Sequence, residues 1–213
     1  MEEKPFVVTP AKRAFVAEIR QVRFQYKEDP EDQKSTKFSL LPSGEATARV
    51  FLVGVIDDIK KMDKGRPGLT AKFRDLTGAI TVKAGEYQQQ AQNQLKKIKQ
   101  VPAFVAMTAK VNVYSFMPEG KTDQITVVSL EPDDLVLVEK AYRQLWNDRT
   151  LEATRKRMEC LESATEPTES QKMARRMYTD EVRDSIMKAI TDSMTGNAPV
   201  SQQQSPDAEG ETA

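Results

Sequence analysis

Histidine is absent from this chain of 213 residues, and cysteine occurs once, as Cys160. Without histidine, the chain lacks the usual general base, the usual transition-metal ligand and any Ser-His or Cys-His nucleophile pair. A lone cysteine forms no intramolecular disulfide, which favours a reducing, intracellular setting. The composition therefore argues against an enzyme, and we expect neither a metal nor a cofactor.

Net charge is also lacking, because 32 Lys and Arg residues balance 32 Asp and Glu residues. No overall field then attracts a polyanion, so any contact with nucleic acid has to come from a local patch. The apolar run VFLVGVI at 50–56 is closed by Asp57 and Asp58 and is too short to cross a bilayer. The start MEEKPFVVTP has no apolar core of a signal peptide. We expect no membrane association and a cytoplasmic, nucleoid-associated location.

The middle of the chain carries strand patterns. Alternation of apolar and polar residues and turn residues such as DKGRPG predict strands over 46–59, 69–75, 79–85, 104–116 and 124–132. EYQQQAQNQLKKIKQ at 86–100 predicts a helix that Pro102 ends. Periodicity alone also permits another small barrel or an α+β sandwich. The order of three strands, a helix and two strands favours the OB fold, a five-stranded Greek-key barrel, here followed by C-terminal helices in a mainly β chain.

The flanking segments complete the predicted organisation. An N-terminal extension and loop covers residues 1–36, the barrel covers 37–132, an association helix covers 133–163, a second C-terminal helix covers 164–194, and a disordered tail covers 195–213. The helix after the barrel carries an apolar stripe of Leu135, Val138, Tyr142 and Leu145, prolonged by Leu151, Met158 and Leu161. The stripe predicts either a partner-binding surface or a helix that folds back on its own barrel or on the last helix.

Cations and aromatics share the solvent-facing phase of the predicted strands. OB barrels bind single strands by stacking bases on aromatic side chains while cations follow the phosphates. The candidate strand residues are Arg49, Phe51, Lys72, Arg74, Lys83, Lys110, Tyr114 and Phe116. The candidate residues at and in the first loop are Lys60, Lys61, Lys64 and Arg66. The alternative is that the cations form a solvated face and the aromatics cap one end of the barrel.

Several spaced segments resemble a known family. KFSLLPSG at 37–44, RVFLVGVI at 49–56, FRDLTGAITVKAGEYQ at 73–88, PAFVAMTAKV at 102–111 and ITVVSLEP at 125–132 resemble archaeal replication-protein-A-associated proteins, which are similar to the middle OB-fold subunit of replication protein A. The resemblance implies a partner of a replication protein A-type single-strand-binding protein. It implies single-stranded DNA binding in replication, repair and recombination, and a helix after the last strand that takes part in subunit association.

The resemblance also implies stacking aromatics on the third and fourth strands. The fourth-strand position falls on or beside Tyr114, whereas the third-strand position falls near Ala84 and Gly85, with Tyr87 just past them.

Two functions remain open on the sequence. The chain is either a single-strand-binding accessory subunit or an interaction scaffold that docks a single-strand-binding partner with little nucleic-acid contact, and it forms homo- or hetero-oligomers through the 133–163 helix. The choice between DNA and RNA is also open.

Overall fold

The structure, a computed structural model, describes residues 9–32, 35–63, 65–118 and 123–196. Short elements come first in the chain, and they are β1 (Lys12–Arg13), α1 (Val16–Ile19), β2 (Gln25–Lys27), β3 (Lys37–Leu40) and β4 (Ala46–Thr47). The barrel elements are β5 (Val50–Lys61), β6 (Gly68–Arg74), β7 (Ala79–Gly85), α2 (Gln89–Lys97), β8 (Ala103–Phe116) and β9 (Ile125–Leu137). The final helices are α3 (Lys140–Ser163), α4 (Glu169–Met177) and α5 (Asp180–Thr195).

The barrel closes through its long first strand. The first half of β5 pairs with β8, and its second half pairs with β6. β7 runs antiparallel to β6 and parallel to β9, and β9 returns antiparallel to β8. Gly54 lies where β5 passes between its partners, since a Cβ there would be 2.4 Å from the Arg74 carbonyl oxygen and 2.5 Å from the Phe73 ring. The OB fold predicted from the sequence is confirmed.

Alternation along the strands separates the core from the outer face of the barrel. On β6, Ala71 and Phe73 are buried, whereas Lys72 and Arg74 are exposed. Every second residue of an extended strand points to the same side, so the apolar members fill the interior. The strand spans predicted at 69–75 and 79–85 and the helix predicted at 86–100 are confirmed, the helix with shorter ends.

The N-terminal segment contributes to the core, which differs from the extension and loop predicted for 1–36. Phe15, Val16 and Ile19 are fully buried, and the Phe15 ring meets the edge of Trp146 with centroids 5.2 Å apart. β2, β3 and β4 form a separate three-stranded sheet. The barrel therefore begins at Val50, and the start predicted at residue 37 is wrong, because KFSL pairs with β2 and not with a barrel strand.

The helix predicted from residue 133 begins later, at Lys140. β9 continues to Leu137 because the edge of β8 that faces it is available for pairing as far as Val105. A bulge in β9, opposite Thr108 and Ala109, absorbs one extra residue. Leu135 pairs with Met107 and faces the core. The apolar spacing that resembled a helical stripe is thus partly the alternation of a strand.

The helix predicted over 164–194 is two helices. They are separated at Tyr178, which has extended backbone angles and a buried ring. The Tyr178 hydroxyl donates to the Leu40 carbonyl oxygen at 2.8 Å and accepts from the Arg23 N–H at 3.1 Å. Residues 197–213 of the predicted tail lie outside the described residues. Across the described ranges, no helix is both long and apolar enough to span a membrane.

Candidate nucleic-acid interface

The strand register places the outward-facing side chains in rows that cross the barrel. One row, which we call the basic row, runs from Lys60 through Thr70 and Lys83. Thr81 pairs with Ser129 in the parallel strands β7 and β9. Two residues further along both strands, Lys83 lies beside Glu131, and Glu131 pairs with Lys110 on β8. The neighbouring row contains Lys72, Thr81, Ser129 and Asn112, of which Ser129 is buried. β6, β7, β9 and β8, which are neighbours in the sheet, therefore bring distant cations onto the outer surface of the barrel.

A third row lies at the other end of the same surface and, apart from Arg74, consists of apolar and aromatic side chains. It contains Arg74, Ala79, Val127 and Tyr114. Four residues separate it from the basic row along each strand, which corresponds to roughly 13 Å. The Tyr114 and Phe116 rings stack with centroids 5.6 Å apart, and Tyr114 is 63% exposed. These two aromatics and the cation rows form a continuous surface, which we call the strand face.

Ion pairs neutralise some of the cations that the sequence singled out. Both oxygens of Asp57 accept from Arg74, at 2.8 and 2.9 Å, and this contact raises the pKa of the Arg74 guanidinium. Arg49 donates to Asp133 at 2.8 Å. Lys60 contacts Asp58 at 2.9 Å, which raises the pKa of the lysine. A charge that already has a carboxylate partner contributes less to phosphate binding, so these three residues are weaker candidates than the sequence indicated.

Three lysines on the strand face retain unpaired charge. Within the described ranges, Lys72, Lys83 and Lys110 have neither a salt bridge nor a side-chain hydrogen bond. Lys61, at the end of β5, and Arg66, in the first loop, are exposed, whereas Lys64 lies outside the described residues. The cations available to a phosphate backbone are thus Lys72, Lys83, Lys110, Lys61 and Arg66.

Phe51 is not a free stacking surface. It is half-buried against the core, and the Arg13 guanidinium lies over its ring at 5.7 Å from the centroid. β1 runs beside β5 at this point, with Arg13 paired to Phe51. Phe51 points to the side of the strand that the sequence predicted, but β1 covers its ring. The pattern of one segment cannot reveal such a neighbouring strand.

The third-strand position implied by the resemblance has no aromatic on the strand. Ala84 points into the core, and Gly85 ends β7. Tyr87 follows and is 92% exposed, at the barrel end where Gly85 pairs with Gly68. The first loop, with Lys61 and Arg66, leaves the same end. Tyr87 therefore stands near the basic row, while Tyr114 stands at the opposite end of the strand face.

The predicted partner-binding stripe divides between core and surface. Leu135 is buried in β9, and Val138 is half-buried, with its N–H donating to the Phe104 carbonyl oxygen at 3.0 Å. Tyr142 and Leu145 are each 58% exposed. Val136 and Leu137 are exposed too. The sequence pattern did not single them out, because the apolar residues of this strand also fit a helical period. The exposed apolar segment consists of Val136, Leu137, Tyr142 and Leu145.

The later part of the stripe is intramolecular. Met158 and Leu161 are buried in the chain's own core, and Leu151 is half-buried against it. α3 packs on β5, β1 and α5. The C-terminal half of α3 therefore packs within the chain, against the main core at Met158 and against Leu40, Ala174 and Tyr178 at Leu161.

The adjacent acidic residues Asp57-Asp58 and Asp133-Asp134 have structural partners. Asp57 and Asp133 bind arginines, as described above, and Asp134 accepts from the Leu135 N–H at 2.8 Å. Among the described residues, no group of three or more His, Cys, Asp or Glu side chains is placed to hold a metal ion. Cys160 is exposed on α3.

Comparisons with known proteins give a fold and no sequence family. No protein-family model and no curated protein matches the chain. A chain of the S. pombe Stn1-ten1 complex is similar, at 10% identity over 71% of this chain and 96% of that chain, with a TM-score of 0.52. A chain of a replication protein A heterotrimer bound to ssDNA is 13% identical over 70% of this chain and 98% of its own, with a TM-score of 0.47.

A third solved structure covers less of the chain. The S. cerevisiae mitochondrial single-stranded DNA binding protein Rim1 is 19% identical over 43% of this chain and 92% of its own, with a TM-score of 0.35. At such low identity the likeness concerns the fold alone. The Stn1-ten1 chain, with the highest TM-score of these three, supports the same barrel architecture.

Proposed function

We propose that this chain binds single-stranded DNA along the strand face, as a non-enzymatic accessory subunit of a replication protein A-type single-strand-binding protein in replication, repair and recombination. One observation carries the proposal. The unpaired Lys72, Lys83 and Lys110 lie on the outer surface of the neighbouring strands β6, β7, β9 and β8, together with exposed Tyr114. An OB barrel that binds single strands needs this combination, because bases stack on aromatic rings while lysines bind the phosphates. The archaeal family, the partner and the nucleoid-associated location are part of the same proposal.

Changing Lys72, Lys83 and Lys110 together to alanine should weaken oligo-dT binding and reduce its dependence on salt. Each phosphate contact to a single strand releases counterions with a slope of about 0.7, so three lost contacts should lower the slope of log K against log salt by about 2. Fluorescence titration at several salt concentrations measures this slope, and an oligo-U probe in the same titration compares RNA with DNA.

A matched variant tests whether position matters. Lys96, Lys97 and Lys99 are exposed on and just after α2, outside the strands that carry the strand face, and changing them to alanine removes the same charge. Equal losses of slope in the two triple variants would mean that net charge alone drives binding. Unchanged binding by the strand-face variant, with its fold intact, would rule out this surface.

A scaffold function is the second candidate, and the exposed apolar segment favours it. Val136, Leu137, Tyr142 and Leu145 expose large apolar side chains within ten residues of one another. Single exposed apolar residues are ordinary on protein surfaces, whereas a group of them is typical of an interface. A scaffold of this kind would dock its partner through this segment even if the strand face bound DNA weakly.

Changing Tyr142 and Leu145 to aspartate should abolish association with the partner while leaving the barrel folded. Both side chains are more than half exposed, so charged replacements face water in the free chain. Light scattering of the protein alone and mixed with the replication protein A-type partner measures assembly, and thermal melting monitors folding. Assembly that persists in the folded variant would show that these residues are not the interface, whereas a sharply lower melting temperature would show that they serve the chain's own fold.

A further inference from the structure

A groove of about 570 Å³ lies beside the strand face. α1 and the residues after it form one wall, α5 forms the other, and the turn between β6 and β7 and the start of β9 form the floor. The residues that matter for its chemistry are Arg20, Arg23, Thr77, Val127, Ser185 and Ala189. None of the residues that line it carries a carboxylate.

The groove is positively charged because its two arginines have no acidic partner within the described part of the chain. The Arg20 guanidinium has no hydrogen-bond partner there either, and its Nη1 lies 3.8 Å from the position that a Cβ on Gly78 would occupy. Arg23 donates to the carbonyl oxygens of Arg20 and Val22, at 2.7 and 3.1 Å. These bonds hold the Arg23 guanidinium in place without neutralising it. An anion in the groove would therefore meet two uncompensated charges.

The groove is continuous with the strand face through Val127. This residue lines the groove and also pairs with Tyr114 across the β8–β9 ladder. The apolar end of the strand face thus opens directly into the groove. Val127, Ile186 and Ala189 give it an apolar surface, while Thr77, Ser185 and Gln21 add hydrogen-bonding side chains. Cations beside apolar surface match a nucleotide, which has an anionic phosphate and an uncharged base.

We propose that this groove binds the continuation of the single strand as it leaves the barrel past Tyr114, with Arg20 and Arg23 binding its phosphates. The inference rests on the proposed function, and it extends the binding site from the OB barrel to the N-terminal segment and the last helix. One OB fold binds about 4–16 nucleotides of a single strand. The groove should therefore affect long oligonucleotides, whereas short ones fit on the strand face alone.

The test compares Arg20→Ala with the unmodified chain on oligo-dT probes from about 4 to about 16 nucleotides long. Arg20 is suitable because its side chain has no hydrogen bond in the described structure. For the longest probe, one lost phosphate contact should lower the salt slope by about 0.7 and the affinity about fivefold at 0.1 M salt. Affinity for the shortest probe should not change. Arg155→Ala removes an exposed arginine from α3 and should leave every length unaffected.

A second variant tests the groove without altering its charge. Ala189→Trp places a large ring in the groove and should likewise weaken binding of long probes only, with melting temperature checked in parallel. If both variants bind probes of all lengths as the unmodified chain does, the groove is not part of the site, although the strand face remains. If Arg20→Ala weakens short and long probes equally, the inference is also wrong. If the unmodified chain binds no probe, the proposed function itself fails.

Discussion

Replacing Arg157 by alanine should lower the free energy of unfolding by about 3–5 kcal/mol, which is the usual cost of leaving a buried charge without its partner. The Arg157 guanidinium donates to Glu18 Oε2 at 2.9 Å, and the Glu18 side chain is fully buried. Glu18 Oε1 has no hydrogen-bond partner in the described structure. The variant would therefore leave the entire carboxylate unpaired. Thermal or chemical denaturation, monitored by circular dichroism, measures the loss.

Two controls show whether the unpaired charge is responsible. Lys156→Ala alters an exposed cation one residue away on the same helix and should change stability by less than about 0.5 kcal/mol. Adding Glu18→Gln to Arg157→Ala removes the buried charge and should restore part of the lost stability. An Arg157→Ala variant as stable as the unmodified chain would mean that α3 does not depend on this ion pair for its position.

Replacing Asp75 by asparagine should destabilise the chain by about 1–3 kcal/mol, because one buried donor loses its acceptor. Asp75 Oδ1 accepts from the Thr77 N–H at 2.7 Å, the Thr77 hydroxyl at 2.8 Å and the Gly78 N–H at 3.2 Å. Oδ2 accepts from the Val16 N–H at 2.7 Å. In asparagine, the amide oxygen preserves the first three bonds, while the NH₂ group faces the Val16 donor. Asp75→Ala, which removes all four acceptor contacts, should cost more.

The pH dependence of stability provides a separate readout for Asp75. Burial raises the pKa of this carboxyl, and its four hydrogen bonds oppose that shift. Since the folded chain then binds the proton more tightly than the unfolded chain does, the unmodified protein should gain stability relative to Asp75→Asn as pH falls through the folded pKa. A stability difference that is independent of pH would show that Asp75 titrates alike in the folded and unfolded chain. Denaturation midpoints from neutral to acidic pH measure the difference.

Local pattern was sufficient to predict the barrel. Its strands alternate, as in Ala71 and Phe73 against Lys72 and Arg74, and its turns carry glycine and aspartate. Such signals depend on residues a few positions apart, which is why the element order could be inferred. The contact between Asp75 and the Val16 N–H joins residues 59 positions apart, and nothing in either segment indicates it.

Errors in the site prediction arose from neighbours that sequence does not show. Arg74 has the predicted orientation, but a register shift between Ile56 and Asp58 brings Asp57 against it. Phe51 is in the predicted phase, but β1 lies beside it. The run from Leu135 to Leu145 fits both a strand followed by a helix and one long helix, and the unpaired backbone of β8 determines which forms. The side of the strand on which each side chain lies was predictable, whereas the segment that packs against that side chain was not.

The packing of the last helices against the N-terminal segment has a consequence for modularity. Tyr178 bonds to Leu40 and Arg23, Arg157 bonds to Ser43 and Glu18, and Trp146 packs on Phe15. The N-terminal segment and the C-terminal helices therefore hold each other in place. A fragment that ended after β9 would lose the helices from these contacts and expose Phe15 and Leu40 to water. The barrel therefore cannot be excised by itself or grafted onto another protein. Any shortened version has to retain α3, α4 and α5.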